Sequence, residues 1–397
     1  MVAEATVGPA AAWRVIRSRT FGPYFVGNAT SASGTWFQNL AASILVWRLT
    51  HSPLLLGVLN FGQFIPVLVL SPWAGALSDR VDRRLLLLVT QLVAGALSAT
   101  LAALAWLGAA DEWVVIGFSL GSGVTSAFGS PAQQALISQL VDEDDVPQAV
   151  ALNSMTFNLA RAIGPTTAAA IVATLGVAWA FALNSVSYLL LVGGLLVVHP
   201  RAHQRAERAS LRESYRLLQR DPSLAIFLLI VMCVGFASDP VNTESPAFAH
   251  VWGYSATWSG AVVGAFGVGA VVAAFLVAGR VAGSRTRMAL TLGVLGGGTV
   301  LYAVTPWMVL AFVPLFAAGV GYLTSNTAAT TRLQLGVAEY QRGRIMALWS
   351  IAFLGLRPFA SLADGALASA FGVRAAAIVM ALPALAGAAV IVRTLRR

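Results

Sequence analysis

Apolar runs about as long as a bilayer is thick dominate this chain, and no other feature limits its fold so tightly. A membrane helix needs roughly 20 mostly apolar residues. Twelve such runs are read at 21–48, 53–77, 84–108, 112–137, 148–173, 178–198, 223–248, 256–279, 287–304, 307–331, 343–368 and 372–393. The residues are 58% hydrophobic and only 10% charged. A soluble domain has about 25% charged residues, so lipid is the expected solvent. Inside lipid every backbone polar group needs a partner within the protein, which selects helices for runs of this kind.

Arginine placement sets the expected orientation. Every basic residue apart from the four histidines is arginine, and the absence of lysine is read as a mark of a GC-rich bacterial genome. With the N-terminus inside, 21 of the 25 arginines fall in cytoplasmic segments. Only Arg48 and Arg374 fall outside, while Arg161 and Arg357 fall within spans. That asymmetry follows the positive-inside rule and requires an even number of crossings. Scattered across short loops, the +9 net charge is not a nucleic-acid patch.

The longest connection, HPRAHQRAERASLRESYRLLQRDP at 199–222, carries six arginines near mid-chain. The expected organisation is a cytoplasmic segment 1–20, a six-helix bundle 21–198, the basic linker 199–222, a second bundle 223–393 and a cytoplasmic tail 394–397. The N-terminal segment lacks the long apolar core of a secretory signal and reads as an amphipathic helix on the inner membrane surface. A weak internal repeat supports two halves. AGALSDRVDRR (74–84) aligns with AGRVAGSRTRM (278–288), and ALNSMTFNLARAIGP (151–165) with RIMALWSIAFLGLRP (344–358).

The residues GALSDRVDRRLLL (75–87) carry a resemblance. They are similar to the loop signature between helices two and three of the major facilitator superfamily, with Gly75, Asp79, Arg80, Arg83 and Arg84 in the signature positions. Asp82 stands where the general pattern has glycine, and the resulting DRxDRR resembles the drug and siderophore exporter branch, which includes enterobactin exporters and macrolide-efflux proteins. WRLTHSPLLLGV (47–58), SPAQQALISQLV (130–141), RAIGP (161–165) and RGRIMALWSIAFLGLRPF (342–359) agree with that branch. The resemblance implies an all-α membrane protein of twelve transmembrane helices in two pseudo-symmetric six-helix bundles. It also implies that Asp79 faces the start of the eleventh helix as a latch closing the cytoplasmic side. A carboxylate at a helix N-terminus gains about 0.3–1 kcal/mol. Gly75 would let two helices pack closely there. Without a latch, the arginines remain topological signals.

Ionisable groups at bilayer depth are costly and point to function. Arg161 and Arg357 are placed roughly 20 Å deep at 1.5 Å per residue. They would bind acidic substrate groups, or pair with Asp or Glu to pin helices. Asp239, Glu244 and Asp364 are candidates to carry a coupling proton, because buried carboxyls without a donor can hold protons near neutral pH. Glu244 and Asp364 could instead lie in a wet outer vestibule. On the first span Asn28, Ser31, Thr35 and Gln38 share one helix face, which must turn inward either as cavity lining or as packing glue. Asn153, Asn158 and Asn326 are further cavity candidates. Gly164 and Pro165 form a shortened form of the fifth-helix glycine-proline motif of superfamily antiporters, and Pro165 is expected to bend its helix.

Other features exclude alternatives. There is no GxxxxGK[ST] loop and hence no built-in ATPase. The single Cys233 allows no disulfide within one chain, and His51, His199, His203 and His250 sit at span ends without ligand spacing. VDEDD (141–145) reads as a solvated acidic turn, and GVLGGGTV (293–300) as a close-packing stretch. No cofactor and no metal are expected. The expected protein is a monomeric secondary transporter of the bacterial inner membrane, not an enzyme, exporting a small amphipathic, drug-like or siderophore-like molecule in exchange for protons. The alternatives are an importer or facilitated-diffusion carrier and, from another class, a membrane enzyme or sensor. The fourth span lacks the arginine of many proton-coupled superfamily members, which leaves the coupling ion open.

Overall fold

The computed structural model describes residues 9–78, 80–201, 217–219, 221, 223–276, 281, 283–338 and 341–395. Asp79, most of the linker 199–222, Arg280 and the tail residues 396–397 lie outside the described residues, as does the side chain of Asn158. The helices are α1 (Pro9–Ile16), α2 (Gly22–Thr50), α3 (Pro53–Ser78), α4 (Arg83–Trp106), α5 (Glu112–Ile137), α6 (Val146–Thr174), α7 (Val177–Val197), α8 (Ser223–Thr243), α9 (Ser245–Val251), α10 (Ser259–Leu276), α11 (Arg285–Val304), α12 (Met308–Leu335), α13 (Arg342–Phe353), α14 (Arg357–Phe371) and α15 (Val373–Leu395). Within the described residues the expected apolar runs fall on helices, two of them interrupted. Among the described residues ten stretches are long and apolar enough to cross a membrane. The runs on α2 and α6 are not among them, and these are the helices that carry Asn28, Gln38, Asn153 and Arg161.

Two runs read as single helices are broken. The seventh bends at Glu244 between α8 and α9, flanked by Pro240 and Pro246. The eleventh breaks at 354–356 between α13 and α14, with Gly355 in the gap and Pro358 in the first turn of α14. Proline removes a backbone donor and is best tolerated at a helix start, which fixes where these segments restart. Pro165, by contrast, lies inside an unbroken α6.

The chain forms two compact units: Met1–Ala42 with Pro66–Ala206, and Ser43–Ile65 with Glu207–Arg397. In the first, Phe21, Tyr24, Leu87, Leu136, Leu191 and Leu195 form a buried core among α2, α4, α5 and α7. Asp82, Arg83 and Arg84 act at the end of this core that carries α1. Asp82 caps α4, its Oδ1 accepting from the Arg84 and Leu85 amides at 2.7 and 3.2 Å. Arg84 donates from Nε and Nη2 to the carbonyls of Leu195 and Leu196 at 2.6 and 2.7 Å. It thereby satisfies orphan carbonyls at the negative end of α7. Arg83 is buried and directed at the Ala135 carbonyl of α5, and Arg80 is exposed. The acidic turn binds two arginines: Asp145 pairs with Arg14 of α1 at 2.5 Å, and Asp142 pairs with Arg201.

In the second unit, small residues bring helix backbones together. A Cβ at Gly298 would lie 2.8 Å from the Pro314 carbonyl oxygen, and one at Gly321 would lie 2.5 Å from the Leu295 nitrogen, so α11 and α12 touch along their backbones. Gly319 of α12 meets the Phe266 carbonyl of α10 in the same way. Where lipid offers no hydrophobic force between helices, such close packing supplies the attraction. Gly75 differs, for a Cβ there would meet nothing within 4 Å. Gly319→Val should overpack the α10–α12 seam, costing about 1–3 kcal/mol. The expected outcome is a lowered thermal midpoint of the purified protein by tryptophan fluorescence, with Gly75→Ala level or slightly raised.

Candidate functional site: buried polar residues of the two units

In the first unit the polar face of α2 is tied to its neighbours. Gln38 is 1% exposed, and its Oε1 accepts from Ser98 Oγ at 2.6 Å and Asn184 Nδ2 at 2.7 Å. Thr35 Oγ1 lies 3.3 Å from Tyr188 Oη, and Ser31 Oγ lies 3.4 Å from Gln91 Oε1. Asn28 donates to Asn153 Oδ1 at 2.7 Å and accepts from Gln133 Nε2. Gln38 and Asn28 thus link α2 to α4, α5, α6 and α7. Arg161 of α6 stacks its guanidinium 5.9 Å from the Trp36 ring centroid. One turn on, a Cβ at Gly164 would lie 2.5 Å from Trp36 Cβ, so Gly164 seats α6 against α2.

In the second unit the three carboxyls named from the sequence come together. Asp239, Glu244 and Asp364 are 2%, 0% and 0% exposed. The wet-vestibule alternative for Glu244 and Asp364 is therefore overturned. The three groups interact electrostatically with one another, and Arg357 interacts with Asp239. They are held differently. Asp239 Oδ2 accepts from Thr243 Oγ1, and Ser361 Oγ lies within reach of Oδ1, each at 3.0 Å. Among the described residues Glu244 and Asp364 have no hydrogen-bond partner on either carboxyl oxygen, nor do the Tyr302 hydroxyl and Ser245 Oγ. Arg357 opens α14 with its guanidinium 4.6 Å from the Phe64 ring centroid. Asn326 of α12 has a buried Oδ1 without a partner among the described residues.

Thr243, Ser245, Tyr302 and Ser361 escaped sequence reasoning. Thr243 is one helical turn from Asp239, and Ser361 stands one turn from Arg357, a spacing that puts side chains on one face. Tyr302 had no such signal, because it arrives from α11. Among the described residues no group of three or more His, Cys, Asp or Glu could hold a metal ion.

The hairpin of α2 and α3 packs beside this cluster. Its two-residue connection places His51 at φ +49, a left-handed backbone, and the rings of Trp47, His51 and His250 lie 5.5–5.6 Å apart. A Cβ at Gly57 would lie 2.5 Å from the Ser361 carbonyl oxygen, and one at Gly365 would lie 2.8 Å from that of Pro53. The start of α3 thus rests directly on the α14 turn that bears Asp364.

Buried carboxyls and arginines inside apolar helices are the equipment of a solute carrier, and sequence comparison identifies the kind. Residues 10–396 match the family model described as transmembrane secretion effector. The chain belongs to that family, within the major facilitator superfamily. It is 26% identical over 355 residues to the staphyloferrin A transporter of Staphylococcus aureus, covering 86% of this chain and 87% of that one. It is 27% identical over 344 residues to enterobactin exporter EntS of Shigella boydii, covering 83% and 80%. Among solved structures, a bacterial homologue of the human lysosomal transporter Spinster, inward-facing and occupied, superposes with TM-score 0.75 at 13% identity over 94% of this chain and 96% of that one. A D-xylose-proton symporter superposes with TM-score 0.71 at 16% identity over 93% and 97%. The chain has the major facilitator fold and is a membrane transporter.

The glycine seam yields a test. In a Cys233→Ala background, Ser361→Cys should react slowly with a small thiol reagent. Gly365→Val, which must push α3 off α14, should speed the labelling several-fold; an unchanged rate would show that the seam does not shield α14.

Proposed function

We propose that this transporter exports a siderophore-like or similarly amphipathic, acid-bearing small molecule in exchange for protons, by alternating access. The observation that carries the reading is the set of three buried carboxyls in the second unit, two of them without a donor among the described residues. Groups that cost so much to bury ionised are suited to take up and release protons. Arg161 and Arg357 are permanent cations suited to the carboxylate or catecholate oxygens of a siderophore. The names of the relatives, one a staphyloferrin A transporter and one an enterobactin exporter, support that substrate class. The arginine distribution supports an inner-membrane protein with both termini cytoplasmic.

Transport into proteoliposomes tests the reading, with enterobactin and staphyloferrin A as probes. An acidic lumen should drive accumulation of at least one probe, and collapsing the gradient should abolish it. Equal rates under gradients of either sign would sink the proton-exchange reading. Arg357→Ala should weaken half-saturation by about 10–100-fold, the loss of one charged hydrogen bond of about 1.5–3 kcal/mol.

A further inference from the structure

We propose that Glu244 and Asp364 are one proton-binding unit, two buried carboxyls that take up and release a proton together, whereas Asp239 is their fixed negative neighbour. This inference deepens the proton-exchange reading and rests on it.

The three acids differ in what surrounds them. Asp239 has two hydroxyl partners, from Thr243 and Ser361, and Arg357 as counter-charge. It can keep its charge. Among the described residues Glu244 and Asp364 have no such hydroxyl partner, although both are fully buried. Two like charges cannot both persist in such surroundings. Geometry brings the pair together: Ser361 of α14 is within hydrogen-bond reach of Asp239 of α8, and Asp364 and Thr243 each stand one turn further along those two helices.

The remaining titratable neighbours are His250 on α9 and His51 of the α2–α3 hairpin, whose rings pack with Trp47 at 5.5–5.6 Å, and Arg374. Arg374 of α15 interacts with Tyr302 and donates to the carbonyls of Ala303 and Thr305 at 2.9 and 3.0 Å. From α3 the segment Pro53–Gly57 brings no ionisable side chain, and α10 contains none. Loading forms one O–H bond: a proton from water binds the ionised carboxyl, and the pair goes from one negative charge to none. Release breaks that bond and returns the proton to water. Glu244 sits at the bend between α8 and α9, so the charge change falls on the hinge of a broken helix. No oxidant, reductant or metal enters this step.

The test needs no substrate. The full-length protein, reconstituted in lipid, is titrated while the C=O band of protonated carboxyls is followed by infrared difference spectroscopy. The wild type should show a titrating band. Glu244→Gln and Asp364→Asn should each abolish it, Asp239→Asn should keep it, and Glu244→Asp should restore it at a shifted midpoint. Thermal midpoints confirm that each variant is folded. Two independent bands lost one at a time would overturn the shared unit. So would a band lost only in Asp239→Asn, or one displaced by sodium at constant pH. Gradient-independent transport with the paired band intact would instead refute proton exchange and leave the shared unit standing.

Discussion

A carboxyl group removed from water must find donors, a counter-charge or a proton, because leaving it charged and alone costs more than a folded protein's whole margin of stability. The second unit satisfies that demand in two ways within a few residues. Asp239 is given hydroxyls and an arginine. Glu244 and Asp364 are buried without a hydrogen-bond donor among the described residues. The contrast turns three acids of similar burial into groups with different chemistry.

The helices that carry these acids are shaped to bring them together. α8 stops at Glu244 between two prolines, and α14 starts at Arg357 behind a glycine. An unbroken helix would satisfy its own backbone and carry its side chains in fixed rotation. A break frees the next segment to aim elsewhere, so functional groups gather where helices are interrupted. Glycine does the complementary work. Gly57 and Gly365 let α3 rest on α14 at backbone distance, and Gly319 and Gly321 do the same for α12.

Much of this was legible beforehand. Apolar runs gave the helices, since a bilayer admits few other forms for such sequences. Arg161, Arg357, Asp239, Glu244 and Asp364 stood out because charge within such runs is rare. Asp82 stood out only as a departure from the family's glycine, and its capping of α4 emerged from the structure. Gln38 could be seen to face inward. That it clasps Ser98 and Asn184 could not, because those partners come from other helices.

The sequence by itself determined that this chain lies in lipid, where its helices run, and which side chains pay for being there, because hydropathy and charge are properties of each residue and its near neighbours. Only the tertiary structure decided which acid has donors and which has none, and that Tyr302 and Gly57 stand beside Asp364's helix. Those facts depend on which distant helices meet and at what rotation, and no local pattern along a uniformly apolar run encodes either.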